Sequence, residues 1–391
     1  MYSRIPMCRV LPRVLVCLLT WCVLPAIAAQ DPLILPPAPQ AAASGYLLID
    51  ADSQKVLAEN NSQEALPPAS LTKIMTSYLA AAELASGRVS MTDEVSISVK
   101  AWRTPGSRMF IQEGTTVLFE DLLKGMIIQS GNDASVAIAE HIGGSEDAFA
   151  DMMNQQAAQL GMRDTQYMNA TGLPAEGHHT TAWDLSLLTR DLITRFPEHY
   201  AMYAEKSYRY NDIDQPNRNR LLWRDRTVDG VKTGHTKEAG YCLVASAVRN
   251  GMRLISVVMG TDGDETRMRE SQKLLSYGFR YHETRRMYEP SVSLKNMEVW
   301  YGESEQIDIG VLAPVIITIP RGHYEEVEPQ LVVPMRVEAP IVKGQKIGEL
   351  ELNLRGDVLH RVDLIALQDV PEGGVFSRLG DFLYLFFAEL F

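Results

Sequence analysis

The sequence predicts an α+β protein: an antiparallel sheet covered by helices, then a small all-β domain, then a C-terminal amphipathic helix. Three observations carry this. Hairpin signals stand near residues 45–60 and 241–259, with helical periodicity between them. After about residue 285, short apolar runs separated by Pro and Gly replace any helical period. Residues 376–391 return to a helical period with one broad apolar arc. The expected organisation is a signal peptide over 1–28, an extended leader over 29–44, an α+β domain over 45–284, a β-sandwich over 285–375 and the terminal helix over 376–391.

The elements follow in order. Arg4, Arg9 and Arg13 precede the apolar run Val14 to Leu24 and the small-x-small site Ala26-Ile27-Ala28, the pattern of a cleaved secretory signal. The run is too short for a membrane span. Residues 30 to 44 are rich in Pro and Ala and read as an extended leader. Tyr46 to Ile49 and Lys55 to Leu57 flank the turn sequence Asp50-Ala51-Asp52-Ser53. Leu71, Ile74, Met75, Tyr78, Leu79 and Ala82 keep helical spacing up to Gly87. Leu118 to Ile128 and Val136 to Ile142 do likewise. Tyr241 to Val248 and Met252 to Met259 are apolar strands joined at Asn250-Gly251, the strongest short hairpin signal. Strands at both ends with helices between them imply one sheet built from terminal segments. Six short runs follow between Met297 and Leu367.

In the tail, Phe376, Leu379, Phe382, Leu383, Phe386, Phe387, Leu390 and Phe391 share an arc, with Ser377, Arg378, Asp381 and Glu389 opposite and Leu385 a misfit. At about 24 Å such a helix is shorter than the ~30 Å hydrocarbon core, so it suits the membrane interface. The other reading is a helix packed on its own protein or in a dimer.

Composition narrows function. The chain is 46% hydrophobic and 22% charged with a net charge of −12, which excludes a disordered or polytopic membrane protein and argues against nucleic acid as a partner. Three of its four cysteines (Cys8, Cys17, Cys22) fall in the signal region, so only Cys242 remains and no internal disulfide is available. Scattered histidines and the lack of HExxH or a Cys pair give no support for a metal. No cofactor is expected.

Chemistry rests on three short patterns in order: Ser70-Leu71-Thr72-Lys73, Ser130-Gly131-Asn132 and Lys232-Thr233-Gly234. An S-x-x-K alone arises by chance about once in a chain this size, but the ordered triplet is far rarer. Ser70 and Lys73 lie one helical turn apart and share a face. A serine hydroxyl needs an adjacent base, and lysine can be that base when burial, a second cation and the positive helix end lower its pKa. Lys232, on a neighbouring edge strand, is the expected second cation. Ser130 can pass a proton to the leaving amine, and the Asn132 amide can fix Lys73 and a substrate carbonyl. Gly234 is expected to admit a substrate backbone along that edge. Alone, Ser70 reads equally as an N-cap, Lys73 as a solvated helix residue, and Ser130-Gly131-Asn132 as a turn.

These motifs resemble those of penicillin-binding proteins and class A β-lactamases. With Ser-Gly-Asn in the middle and Lys232-Thr233-Gly234-His235-Thr236 at the third, the chain resembles the low-molecular-mass penicillin-binding proteins that are D-alanyl-D-alanine carboxypeptidases. The likeness extends through Pro68 to Thr76, Gln129 to Ala134, Val228 to Val231, the β-rich segment and the terminal helix. It implies a penicillin-binding/β-lactamase-like catalytic domain. It also implies an acyl-enzyme on Ser70, formed from peptidoglycan stem peptides ending in D-Ala-D-Ala or from β-lactam antibiotics. Lys73 would be the general base, assisted by Ser130 and Asn132. Lys232, Thr233, Gly234 and His235 would line the substrate strand, with the N–H groups of Ser70 and His235 as oxyanion hole. Arg267 would hold the strand and the substrate end, with Arg269 as competitor. His179 fits the family's loop histidine and is expected to make a structural hydrogen bond. Rival readings are a serine β-lactamase, for which no E-x-x-L-N loop is present, a D,D-endopeptidase, and a non-catalytic wall-binding protein. The export signal and interfacial tail together place the chain on the periplasmic side of an inner membrane, anchored by the terminal helix.

Overall fold

The computed structural model describes residues 35–390, so the expected signal peptide and the start of the leader lie outside the described residues. A five-stranded antiparallel sheet runs in the order Val56–Asn60, Gly45–Asp50, Met252–Thr261, Gly240–Arg249 and Val228–Thr236. Its first hairpin turns on Asp50, whose Oδ1 accepts from the backbone N–H groups of Asp52 and Ser53. Its second turns on Asn250 and Gly251, both at positive φ, as the Asn-Gly pair requires.

Alternation along each strand sends neighbouring side chains to opposite faces. Leu47, Ile49, Val244 and Val257 join the larger core, under the helices Lys73–Ala85, Phe119–Ile128, Asn132–Gly143 and Ala182–Arg195. Tyr46, Leu48, Leu243 and Leu254 join a second core beneath the single helix Asp264–Tyr281. Cover on both faces explains why the strands read as continuous apolar runs rather than as alternation.

The strand Val228–Thr236 is an edge, as expected for the segment bearing Lys232. Ser70 does not open the α-helix. It lies in a 3₁₀ turn, Ala69–Thr72, and the helix proper begins at Lys73.

Beyond the helix Asp264–Tyr281 the chain is β-rich. The strand His282–Tyr288 pairs with Val315–Pro320, so the expected division at 284/285 falls inside a strand. A six-stranded sheet runs Val327–Val332, Lys346–Leu354, Asp357–Ala366, Gln306–Gly310, Lys295–Trp300, Val337–Glu338. The two regions are tied by partly buried hydroxyls. Thr284 donates to Asp50 Oδ2 at 2.6 Å, and Thr318 Oγ1 lies 2.6 Å from Ser53 Oγ and 2.8 Å from Thr284 Oγ1.

The terminal helix spans Val375–Leu390. Tyr384 stacks on Trp300, Asp381 accepts from the Tyr301 N–H at 2.7 Å, and Leu385 is buried. Phe376, Leu379, Phe382, Leu383 and Phe386 stay exposed. Among the described residues, no helix is long and apolar enough to cross a membrane.

Candidate active site

The three sequence patterns meet in one cleft. Lys73 Nζ lies 3.0 Å from Ser70 Oγ, 2.7 Å from Asn132 Oδ1 and 2.5 Å from the Thr171 carbonyl. Lys73 and Lys232 are buried, while Ser70 is half-buried at the opening. The turn before the helix brings Ser70 over Lys73, and Ala69, at φ 46°, occupies the left-handed region just before the nucleophile. Ser130, at φ 67°, sits where the helix Phe119–Ile128 ends and Asn132–Gly143 begins. Such strained residues concentrate where a site fixes a side chain. The Ser130 hydroxyl is buried without a hydrogen-bond partner, leaving its donor and acceptor capacity unused by the fold.

Asn132 is clamped. Its Nδ2 donates to the Pro105 carbonyl at 2.6 Å, and its backbone N–H to the Ser107 carbonyl at 2.7 Å, so the amide oxygen must face Lys73. Gly106, at φ 91°, lies so close to Asn132 Nδ2 that a Cβ there would stand 2.6 Å away. Gly234 is close-packed as well. A Cβ at Gly234 would meet the Pro68 carbonyl at 3.0 Å and Ala69 Cβ at 3.2 Å. Gly234 thus lets the edge strand approach the protein's own nucleophile turn closely.

Burial, more than anything else, pushes the Lys73 ammonium down, to about 7, with Asp133 opposing it and Arg218 adding to it. Burial also holds Lys232 well below its ordinary value, and Lys73, Arg218 and Arg267 push the same way. The two lysines therefore act on one another as neighbouring cations, and Arg218 is a further cation that lowers both.

Of the two competing arginines, Arg267 is buried and donates to the carbonyls of Gly234 and Cys242 at 2.9 and 3.2 Å. Arg269 is 63% exposed and pairs with Glu270. Thr233 is buried in the edge strand and His235 exposed beyond it, stacked on Tyr241.

Several contributors had no signal in the sequence. Thr171 reaches Lys73 from a loop knotted by Asn169, whose Oδ1 accepts from Thr171 N, Thr171 Oγ1 and Gly172 N. Asp133, fully buried, accepts from the N–H groups of Met109, Phe110 and Ala134, fixing the strap beside Ser130. Arg218 donates from Nε to the Gln129 carbonyl at 3.0 Å. His178, rather than His179, is the histidine against the site. Its Nδ1 accepts from Met168 N–H, so Nε2 carries the proton toward Thr72 Oγ1, 2.9 Å away. His179 Nδ1 instead faces the Gly177 carbonyl at 2.7 Å.

A buried amine near neutrality beside a hydroxyl, with an unpartnered second hydroxyl close by and arginines at one rim, can run acyl transfer. Comparison with known proteins agrees. Residues 33–263 match the D-alanyl-D-alanine carboxypeptidase family, and residues 282–372 match the penicillin-binding protein 5 C-terminal domain. The chain is 43% identical to D-alanyl-D-alanine carboxypeptidase DacC of Escherichia coli K12 over 368 residues, 90% of each chain. It superimposes on penicillin-binding protein 5 of Haemophilus influenzae with a TM-score of 0.84 at 40% identity, covering 86% of this chain and all of that one. Penicillin-binding protein D2 of Listeria monocytogenes in its ampicillin-bound form gives a TM-score of 0.58 at 30% identity, covering 62% of this chain and 100% of that one. From its motifs, its cleft and this similarity along most of its length, the chain belongs to the family of serine-type D-alanyl-D-alanine carboxypeptidases, which are hydrolases of peptide bonds.

Proposed function

We propose that Ser70 Oγ attacks the carbonyl of the penultimate D-Ala of a peptidoglycan stem pentapeptide while neutral Lys73 takes its proton. The N–H groups of Ser70 and His235 receive the oxyanion. Ser130 hands its proton to the departing amine and takes the one held by Lys73, the C–N bond breaks, and free D-Ala leaves with Lys73 neutral again. Water then attacks the Ser70 ester, its proton going to Lys73 and from there to Ser70 Oγ as the ester C–O bond breaks, and the shortened peptide departs. Asn132 keeps Lys73 aligned. Lys232 and Thr233 border the leaving residue, and Arg267 with Arg218 offers positive charge to its carboxylate. The observation that carries this reading is Lys73 Nζ within 3.0 Å of Ser70 Oγ in a buried setting.

The same reading extends to β-lactams, which mimic the D-Ala-D-Ala end and acylate Ser70. It also extends to location: export through residues 1–28 and a periplasmic site on the inner membrane, held by the exposed apolar arc of Val375–Leu390. Mass spectrometry after exposure to a penicillin tests the core of it. One adduct on the Ser70 peptide, absent in Ser70→Ala, is expected. An adduct elsewhere overturns it.

A further inference from the structure

A groove of about 910 Å³ lies away from the acyl-transfer cleft. It opens where the last turn of the helix Lys73–Ala85, the first turns of Phe119–Ile128 and the segment 195–205 meet. Ala81, Leu84, Val89, Met91, Phe196 and Met202 make its wall apolar. None of the residues that do acyl transfer lines it. Lys73 opens the helix whose far end forms this wall, so about 18 Å of helix separates the base from the groove. The volume falls in the range of small-molecule sites, ~300–1,000 Å³.

The groove's charge is unbalanced. Its two cations are already engaged: Lys124 pairs with Glu120 at 2.6 Å, and Arg195 lies 3.7 Å from Asp191 and donates to Tyr78 Oη at 3.1 Å. Glu198 and Glu205 also line it, and neither forms an ion pair among the described residues. The net charge of −12 on the chain adds a field of the same sign. His199, 7% exposed, lines the wall as well. Its Nε2 lies 2.7 Å from Ser77 Oγ, while its Nδ1 is buried with no hydrogen-bond partner. Buried nitrogens are normally paired, so the fold leaves polar capacity unused beside an apolar wall.

We propose that this groove is a second ligand site, shaped for a small molecule that joins an apolar body to a cationic amine. The body covers Leu84, Met91 and Phe196, which are otherwise half-exposed. The amine meets Glu198 and Glu205. An anionic ligand of the same shape would face those carboxylates unfavourably. Lys73, Ser77, Ala81 and Leu84 stand at i, i+4, i+8 and i+11, along one face of their helix. The occupant therefore rests on the stripe that carries the base, yet far from the reacting atoms, and both sites can be filled together.

Calorimetric titration of the full chain with decylammonium, below its micelle concentration, tests this. A saturable one-to-one component is expected, about tenfold tighter than for decyl sulfate. Glu198→Gln/Glu205→Gln should weaken it about tenfold, as two charges near the surface warrant. Ala85→Trp, at an exposed lining position, should fill the groove and weaken binding by about tenfold or more. Both variants should keep wild-type acylation by penicillin. Enzyme already acylated on Ser70 should bind the probe with unchanged affinity. Equal affinity for the two head groups overturns the cationic assignment. Binding that neither variant alters lies on another surface, such as the exposed arc of the terminal helix, and overturns the site. Loss of binding on acylation places the probe in the catalytic cleft and overturns it too. None of these results touches Ser70 as nucleophile, so this inference and the acyl-enzyme reading fail separately.

Discussion

The backbone carbonyl of Thr171 receives a hydrogen bond from Lys73 Nζ at 2.5 Å, and the loop that presents it is tied by Asn169. A carbonyl so placed orients the amine toward Ser70 whatever its protonation state. Asn169 touches neither nucleophile nor base, so it is a positioning residue. Asn169→Ala is expected to lower kcat by about tenfold with little change in KM, and to shift the acidic limb of the pH profile. A merely structural role would lower the unfolding temperature and leave that limb in place.

Acylation requires the uncharged amine. With Lys73 pushed down to about 7, the acylation rate should rise as pH climbs through about 7 and level off above it. Lys73→Met should lose roughly 10³-fold or more and its residual rate should be flat across that range. Stopped-flow acylation by a coloured cephalosporin reads both.

Arg267 and Arg269 should separate cleanly. Arg267→Gln removes the donors to Gly234 and Cys242 and a cation from the site. KM for a pentapeptide should rise by about tenfold or more, since a buried charged hydrogen bond is worth ~1.5–3 kcal/mol. Arg269→Gln, on the surface, should match wild type within twofold.

Acid should destabilise the fold through two histidines. His178 and His199 are buried and held at about 4 rather than the ordinary 6.5, chiefly by burial. Each ring is neutral when folded. Between about 6.5 and 4 the unfolded chain binds protons that the folded chain refuses, so stability falls as pH drops through that window and flattens below it. Thermal unfolding followed by circular dichroism from pH 7 to 4 checks the direction. His199→Gln should flatten part of the slope.

Membrane attachment should reside in the tail. Removing residues 376–391 should release active enzyme from vesicles. Phe382→Ser/Phe386→Ser, on the exposed arc, should weaken co-sedimentation while leaving penicillin acylation intact. Co-sedimentation equal to wild type in both would refute anchoring by this helix.

What the sequence made legible was local. Ser70 and Lys73 share a turn, and Asn250-Gly251 dictates its hairpin, because both depend on neighbours in the chain. Thr171, Asp133 and Arg218 carry no such mark. They reach the site through tertiary packing, one by a backbone carbonyl that no side-chain pattern reveals. The helix Asp264–Tyr281 was hidden because its buried positions, Met268, Leu274 and Leu275, are interleaved with Arg267, Arg269, Glu270 and Lys273. In the tail, the arc left Leu385 as a misfit and set Asp381 outward, yet these residues and Tyr384 form the seam that docks the helix on Trp300 and Tyr301. Periodicity showed the wide arc and concealed the narrow one.

The hydroxyl cluster of Ser53, Thr284 and Thr318 around Asp50 joins the first hairpin of the catalytic sheet to the β-rich half. The strand Gly45–Asp50 lies inside that sheet, between Val56–Asn60 and Met252–Thr261, so the joint is made to a strand paired on both sides. Loss of the Thr284 hydroxyl would therefore remove a hydrogen bond that joins the β-rich half to the strand beside the sheet's middle.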